Sequence, residues 1–194
     1  MTPNNATDAS LWIQPHVGQT ANVLLLGSHD ATSRGDVCQR LLTTVSYADE
    51  RVLAIQCGDT SDTWLYELKY VPATLTIKRC AESEETISND LSTMREAISD
   101  FIRARTDGQC IVYVDSIDPV LKYADSVTAY NALRGLAQLL REGQAIGFFR
   151  VDPRKRTRQE IEAISKLFDF TAELTDNSRW RLIGSDRSAP LDDR

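Results

Sequence analysis

Val23-Leu24-Leu25-Leu26-Gly27-Ser28-His29-Asp30-Ala31-Thr32-Ser33-Arg34-Gly35-Asp36-Val37 decides the fold. Four apolar residues in a row, closed by glycine, predict a strand buried on both faces, as strands of parallel sheets are. Ser33 then offers a helix N-cap, with the acidic Asp36 three positions on. Val37, Cys38, Leu41, Leu42 and Val45 continue at helical spacing. A strand, a loop and a helix in this order mark the place of a phosphate-binding loop. Such a loop needs four residues after its first glycine and then Gly-Lys-Ser/Thr. Here the second glycine, Gly35, stands eight positions after Gly27. Asp36 takes the place of the lysine and Val37 that of the magnesium-binding hydroxyl. Arg34 is the basic residue of the loop, and a guanidinium does not replace a lysine ammonium there. Asp30 and Asp36 add charge that repels a triphosphate. Gly27, Arg34, Gly35 and Asp36 therefore form a degenerate nucleotide-site loop.

Outward from this loop, strands alternate with amphipathic helices. Arg51–Gln56 predicts a second strand. Asp59, Thr60 and Ser61 cap a helix that carries Trp64, Leu65 and Leu68. Ala73–Lys78 alternates at period two, as an edge or half-buried strand does. Ser88–Arg105 predicts a long helix with Leu91, Met94, Ile98, Phe101 and Ile102 inward, closed by Gly108. Cys110–Asp115 is the strongest buried strand. Val127–Glu142 is a helix with Tyr130, Leu133, Leu136, Ala137 and Leu140 inward, ended by Gly143. Ala145–Val151 is a fifth strand, and Thr157–Phe168 a helix with Ile161, Ile164, Leu167 and Phe168 inward. Thr171–Leu174 and Trp180–Ile183 flank a hairpin turn at Thr175–Ser178. The expected fold is α/β: a three-layer, mostly parallel sheet, helices on both faces, and a C-terminal antiparallel hairpin. The expected organisation is a tail over 1–20, one domain over 21–184 and a second tail over 185–194. Leu11, Trp12 and Ile13 interrupt the first tail as a short apolar arm.

Composition narrows the function classes. The chain has 194 residues, 42% hydrophobic and 26% charged, as a single globular domain has. Its net charge of -6 argues against coating nucleic acid through the overall field. Cys38, Cys57, Cys80 and Cys110 form no CxxC pair and lie near no histidine in sequence, so they read as buried thiols and no metal site is expected. The N-terminus shows no signal peptide, and no apolar run reaches membrane-spanning length. A cytoplasmic protein without membrane contact is expected.

In open parallel sheets ligands bind beyond the carboxyl ends of the strands. Cys110-Ile111-Val112-Tyr113-Val114-Asp115-Ser116 has the form of a Walker B strand, whose aspartate would hold magnesium. The plainer alternative is an acidic residue that caps the next turn. Asp59 is the nearest carboxylate after the second strand, where a water-activating glutamate would stand, and it serves equally as a helix N-cap. Arg150, Arg154, Lys155, Arg156 and Arg158 form the densest basic run. They offer a phosphate or nucleic-acid contact, or a solvated loop beside a helix start. The run has no aromatic for base stacking. His16 and His29 have no nucleophile placed with them by a known spacing.

Asp115-Ser116-Ile117, followed by Pro119 and Leu121, resembles RecA/KaiC-type ATPases at this strand. The series extends the likeness. Val23–Gly27, Gly35-Asp36-Val37-Cys38 and Leu41-Leu42-Thr43 come first. Asp115-Ser116, Leu121-Lys122-Tyr123 and Thr128-Ala129-Tyr130 follow. Asp152-Pro153 and Leu167-Phe168-Asp169 complete it. Over about residues 22–174 the chain resembles an uncharacterised RecA/KaiC-like family of halophilic archaea. The resemblance implies a RecA-like, P-loop NTPase-type fold without an intact Walker A motif. It implies no established activity; the degenerate loop makes a cytoplasmic pseudo-ATPase the expected function, a regulatory or assembly module with a protein partner or self-association by analogy with RecA-like domains. No cofactor is expected. The alternatives are an atypical signalling ATPase that binds ATP and magnesium, and a nucleic-acid-binding regulator that uses Arg150–Arg158.

Overall fold

The computed structural model describes residues 21–27, 51–57, 74–80, 86–106, 108–174 and 180–185. Seven strands form one sheet: β1 (Ala21–Leu26), β2 (Arg51–Cys57), β3 (Thr74–Cys80), β4 (Cys110–Val114), β5 (Ile146–Val151), β6 (Phe170–Leu174) and β7 (Trp180–Ser185). Their order is β3-β2-β4-β5-β1-β6-β7. The first six are mutually parallel, and β7 pairs antiparallel with β6. The four described helices are α1 (Ile87–Arg103), α2 (Asp118–Tyr123), α3 (Ser126–Glu142) and α4 (Arg158–Ser165), with a 3-10 turn at Pro153–Lys155.

The crossovers β3-α1-β4, β4-α3-β5 and β5-α4-β6 all step the same way along the sheet. Parallel crossovers share one hand, so their helices must lie on one face. They do: Met94, Ile98 and Phe101 of α1, Leu133, Leu136 and Leu140 of α3, and Ile164 of α4 share one core. That core also takes Leu24, Leu26, Leu53, Ile55, Val112, Val114, Phe149 and Val151 from alternate strand positions. The intervening positions, Val23, Leu25, Val52, Ile111, Tyr113 and Phe148, are buried as well. The sheet is thus covered on both sides, as its unbroken apolar strands require. The β1–β2 and β2–β3 connections, 28–50 and 58–73, lie outside the described residues, as do the helices expected there.

Four expectations need correction. The expected hairpin forms, with β6 antiparallel to β7, but β6 is not a further antiparallel strand of the sheet's edge: its other side lies parallel to β1, with Val23 opposite Phe170. The α4 crossover returns the chain in the same direction, and only β7 reverses. Tyr130 is 38% exposed, while Ala129 is buried, because the first turn of α3 presents the neighbouring position. The last helix stops at Ser165 rather than Phe168, and Leu167 and Phe168 reach the core from i→i+3 turns. Finally, α2 is a six-residue helix that the pattern did not single out as an element. Six residues are too few to show a period. The period-two segment forms β3, which is an edge strand.

Capping explains why α3 and α4 start where they do. Asp125 accepts hydrogen bonds from the Val127 and Thr128 N–H groups, at 3.1 and 3.0 Å. Thr157 and Glu160 form a reciprocal capping box on α4. Hydrogen bonds from the Thr128 side chain and then its backbone hold the Asp125 carboxyl below its usual range. The Thr157 N–H, then its hydroxyl, do the same for Glu160.

Candidate functional site

The chain leaves β1 toward β2 and leaves β5 toward β6, in opposite directions along the sheet. Such a reversal opens a crevice beyond the carboxyl ends of the two strands. Gly27 and Asp152 stand at these ends. Asp115 follows β4 and Cys57 ends β2 alongside.

One row of residues crosses this edge. Ile55 is opposite Val114, and Val114 is opposite Phe149. One step further along the strands come Gln56, Asp115 and Arg150. Arg150 is in turn opposite Leu25 of β1. Ile55, Val114 and Phe149 belong to the core beneath α1, α3 and α4. By strand alternation Gln56 and Arg150 face the other side. An amide, a carboxylate and a guanidinium therefore stand side by side on three strands.

All three are buried, at 3%, 4% and 5% exposure. Asp115 Oδ1 accepts the Cys57 N–H at 2.8 Å, and the Asp115 N–H donates to Ile55 O at 3.0 Å. The carboxylate thereby extends the β2–β4 ladder past its last regular pair. Arg150 Nε donates to Gly27 O at 3.4 Å. Among the described residues no carboxylate forms an ion pair with this guanidinium. Gln56 Nε2 and Oε1 have no hydrogen-bond partner. Unbonded buried amides are uncommon, because desolvation is then uncompensated.

The other half of the edge is closed upon itself. Ser116 Oγ accepts the Asp118 N–H at 3.1 Å and donates to Asp118 Oδ2 at 3.4 Å. Asp118 Oδ2 also accepts the Asp152 N–H at 3.1 Å. Arg156 donates from Nε and Nη2 to Asp118 Oδ1, both at 3.2 Å, and from Nη1 to Leu121 O at 3.3 Å. This ion pair is nearly buried, at 11% and 9% side-chain exposure. Arg154 grips Asp152 with two parallel bonds, Nε to Oδ1 at 3.1 Å and Nη2 to Oδ2 at 3.0 Å. The network ties α2 to the turn after β5.

The basic run is thus not one surface. Arg150 is inside the sheet, Arg154 and Arg156 bind carboxylates of the edge, and Arg158 pairs with Glu162 at 2.7 Å on the surface of α4. Lys155 is exposed. Arg34, Gly35, Asp36, Asp59 and both histidines lie outside the described residues. Gln56 was not a candidate site residue from sequence, whereas Asp118 and Asp152 lie in the stretches after β4 and β5 where a ligand site is expected, with no role assigned to them. Gln56 carried one signal: a polar residue at an inward position of the apolar run Arg51–Cys57. Among the described residues no three His, Cys, Asp or Glu side chains cluster as metal ligands do. No described helix is long and apolar enough to cross a membrane. Cys57 and Cys110 are buried free thiols, and burial pushes the Cys110 thiol up from its usual value.

A family model, described as a family of unknown function (DUF7504), matches residues 20–174. The chain belongs to the DUF7504 family. The match takes in β1 through β6 and so the whole carboxyl edge of the sheet. A protein of Pyrococcus horikoshii OT3, known from a structural study, has a similar structure, with a TM-score of 0.55 at 12% identity. The similarity covers 93% of this DUF7504 chain and 94% of that one, and at this identity it shows a shared fold. No curated protein matches the sequence.

Proposed function

We propose that this DUF7504 domain is a non-catalytic, cytoplasmic module of regulation or assembly, built on a RecA/KaiC-like sheet whose nucleotide site is degenerate. The observation that carries this reading is the bonding of Asp115. The carboxylate in the Walker B-like position spends Oδ1 on the Cys57 N–H. Asp118 and Asp152 are likewise bonded to Arg156 and Arg154 of the same chain. The loop after β1 adds a sequence argument, since Asp36 and Val37 replace the lysine and hydroxyl of a phosphate loop. The protein-partner or self-association part is supported by an apolar cavity of about 340 Å³ where α3 and α4 meet. Leu121, Val127, Tyr130 and Ile164 line it, and Val127 is 69% exposed.

The test is incubation with ATP and magnesium. The expected outcome is no phosphate release above the buffer rate and no magnesium-dependent rise in melting temperature. Turnover that disappears in Asp115→Asn would establish the ATPase alternative instead. For the nucleic-acid alternative, the commitment of Arg154, Arg156 and Arg158 to carboxylates leaves little free charge, and duplex DNA is expected not to bind at low salt.

A further inference from the structure

We propose that Gln56 and Arg150 form a binding site for a small oxyanion that also carries neutral hydrogen-bonding groups. This goes beyond the module reading, since it gives the edge of the sheet a ligand of its own. Two independent observations point to it. Arg150 is 95% buried, yet its described side-chain bond is one long contact to Gly27 O. A guanidinium has five donors, and buried charges are ordinarily paired. Gln56 is 97% buried and neither side-chain polar atom has a hydrogen-bond partner, although its amide both donates and accepts. Desolvating both groups costs stability that an occupant bonded to both would return.

Their placement sets the kind of occupant. Both side chains leave the sheet on the same face, at the level where the strand direction of travel reverses, which is where open sheets take ligands. Strands β2 and β5 are separated by β4, so their backbones stand about 10 Å apart. Arg150 leans further away, toward β1, through its bond to Gly27. A bare ion meets only the guanidinium. An occupant that meets both groups is an extended small molecule, with phosphate or carboxylate at Arg150 and hydroxyl or amide at Gln56. Asp115, between them, accepts the Cys57 N–H through Oδ1. Binding of this kind asks for no metal and no triphosphate.

The probes are ribose 5-phosphate and gluconate, which place hydroxyls behind a phosphate and a carboxylate. Each is added in EDTA at matched ionic strength, and melting temperature is read. One of the two is expected to raise it by about 2–4 °C at saturating concentration. The larger shift identifies the oxyanion. The shift is expected to vanish in Arg150→Met, and Gln56→Met is expected to weaken affinity about tenfold or more. Gln56→Met has a second readout. It replaces an unbonded amide with an apolar side chain of similar shape, so the ligand-free protein should melt higher. If Arg150→Met does not fold, Arg150→Lys takes its place, with weaker binding expected. Three results overturn the proposal: no shift with either probe, a shift that survives both substitutions, or a lower melting temperature for ligand-free Gln56→Met. None of these measurements uses ATP or magnesium, so this proposal and the module reading fail separately.

Discussion

Two buried amides stand at opposite ends of the sheet, and the protein treats them differently. Asn22, near the amino end of β1, leaves its Oδ1 without a hydrogen-bond partner but is otherwise built into its surroundings. Its Nδ2 donates to Ala137 O of α3 at 2.9 Å, its N–H donates to Asp169 Oδ2 at 2.8 Å, and its carbonyl accepts the Asp169 N–H. Arg141 holds Asp169 from α3 and also donates to Leu167 O. Gln56, at the carboxyl end of β2, has a side-chain amide with no hydrogen-bond partner at either atom. The amino end fixes α3 and the start of β6 to the central strand. The carboxyl end is divided: the half made by Arg156 on Asp118 and Arg154 on Asp152 is bonded closed, and the Gln56–Arg150 half is polar, buried and under-bonded. A tightly bonded half and an under-bonded half thus sit side by side at the carboxyl end, the end where open parallel sheets take ligands.

The contrast is open to direct attack. The largest effect is expected at the closed half. Arg156→Met strips the partner from buried Asp118 and should lower stability by about 3–5 kcal/mol in urea denaturation. A loss below about 1 kcal/mol would mean that solvent already shares that carboxylate, and the two halves would no longer differ.

The amino end is tested at Gly147. A Cβ there would come within 2.6 Å of Asn22 Oδ1 and 2.6 Å of Leu140 Cδ1. Close approach, not backbone conformation, demands glycine. Gly147→Ala should cost about 1–3 kcal/mol by forcing Asn22 or α3 to move. The denaturation midpoint reads it, and an unchanged midpoint would show the Asn22 junction to be loose.

The smallest effect belongs to the helix that follows the closed half. The Glu160 carboxyl is held below 4.5, first by the Thr157 N–H and then by its hydroxyl. A lowered folded-state value means that the unfolded chain binds more protons, so stability rises with pH. The contribution is complete above 4.5 and is lost as pH falls through the lower folded value. Thr157→Val removes the hydroxyl but keeps the N–H. It should make the fall of melting temperature below pH 4.5 shallower, and an unchanged acid slope would remove the capping box from the account.

Much of the sheet was legible because each element wrote its own local pattern. The run Val23–Leu26 announced a doubly buried strand, and the spacing of Met94, Ile98 and Phe101 announced a helix face. Two misreadings came from positions where the pattern underdetermines direction. Thr171–Leu174 reads as a hairpin arm, which it is toward β7, but its pattern does not say that its other side runs parallel to β1, and only the route through α4 settles that. Tyr130 and Ala129 compete for the same stripe, and the packing of α3 chose the smaller residue. The site was legible in part. Asp115 and Ser116 stand out at a strand end, but their bonds do not. Arg150 looked like the start of a basic run, whereas strand alternation turns it to the other face from the core beneath α4 and leaves Arg154 and Arg156 to pair locally.

By itself the sequence determined the class of fold and that no Gly-Lys-Ser/Thr follows the first strand, because apolar runs, helical spacing and motif chemistry are local properties of the chain. Only the tertiary structure decided which polar groups meet. Register brought Gln56, Asp115 and Arg150, separated by 59 and 35 positions in the chain, into one row across three strands. Burial then decided which of them would be bonded and which would be left with hydrogen bonds to give. These are long-range facts, set by strand order and by alternation across a sheet, and no local pattern carries them.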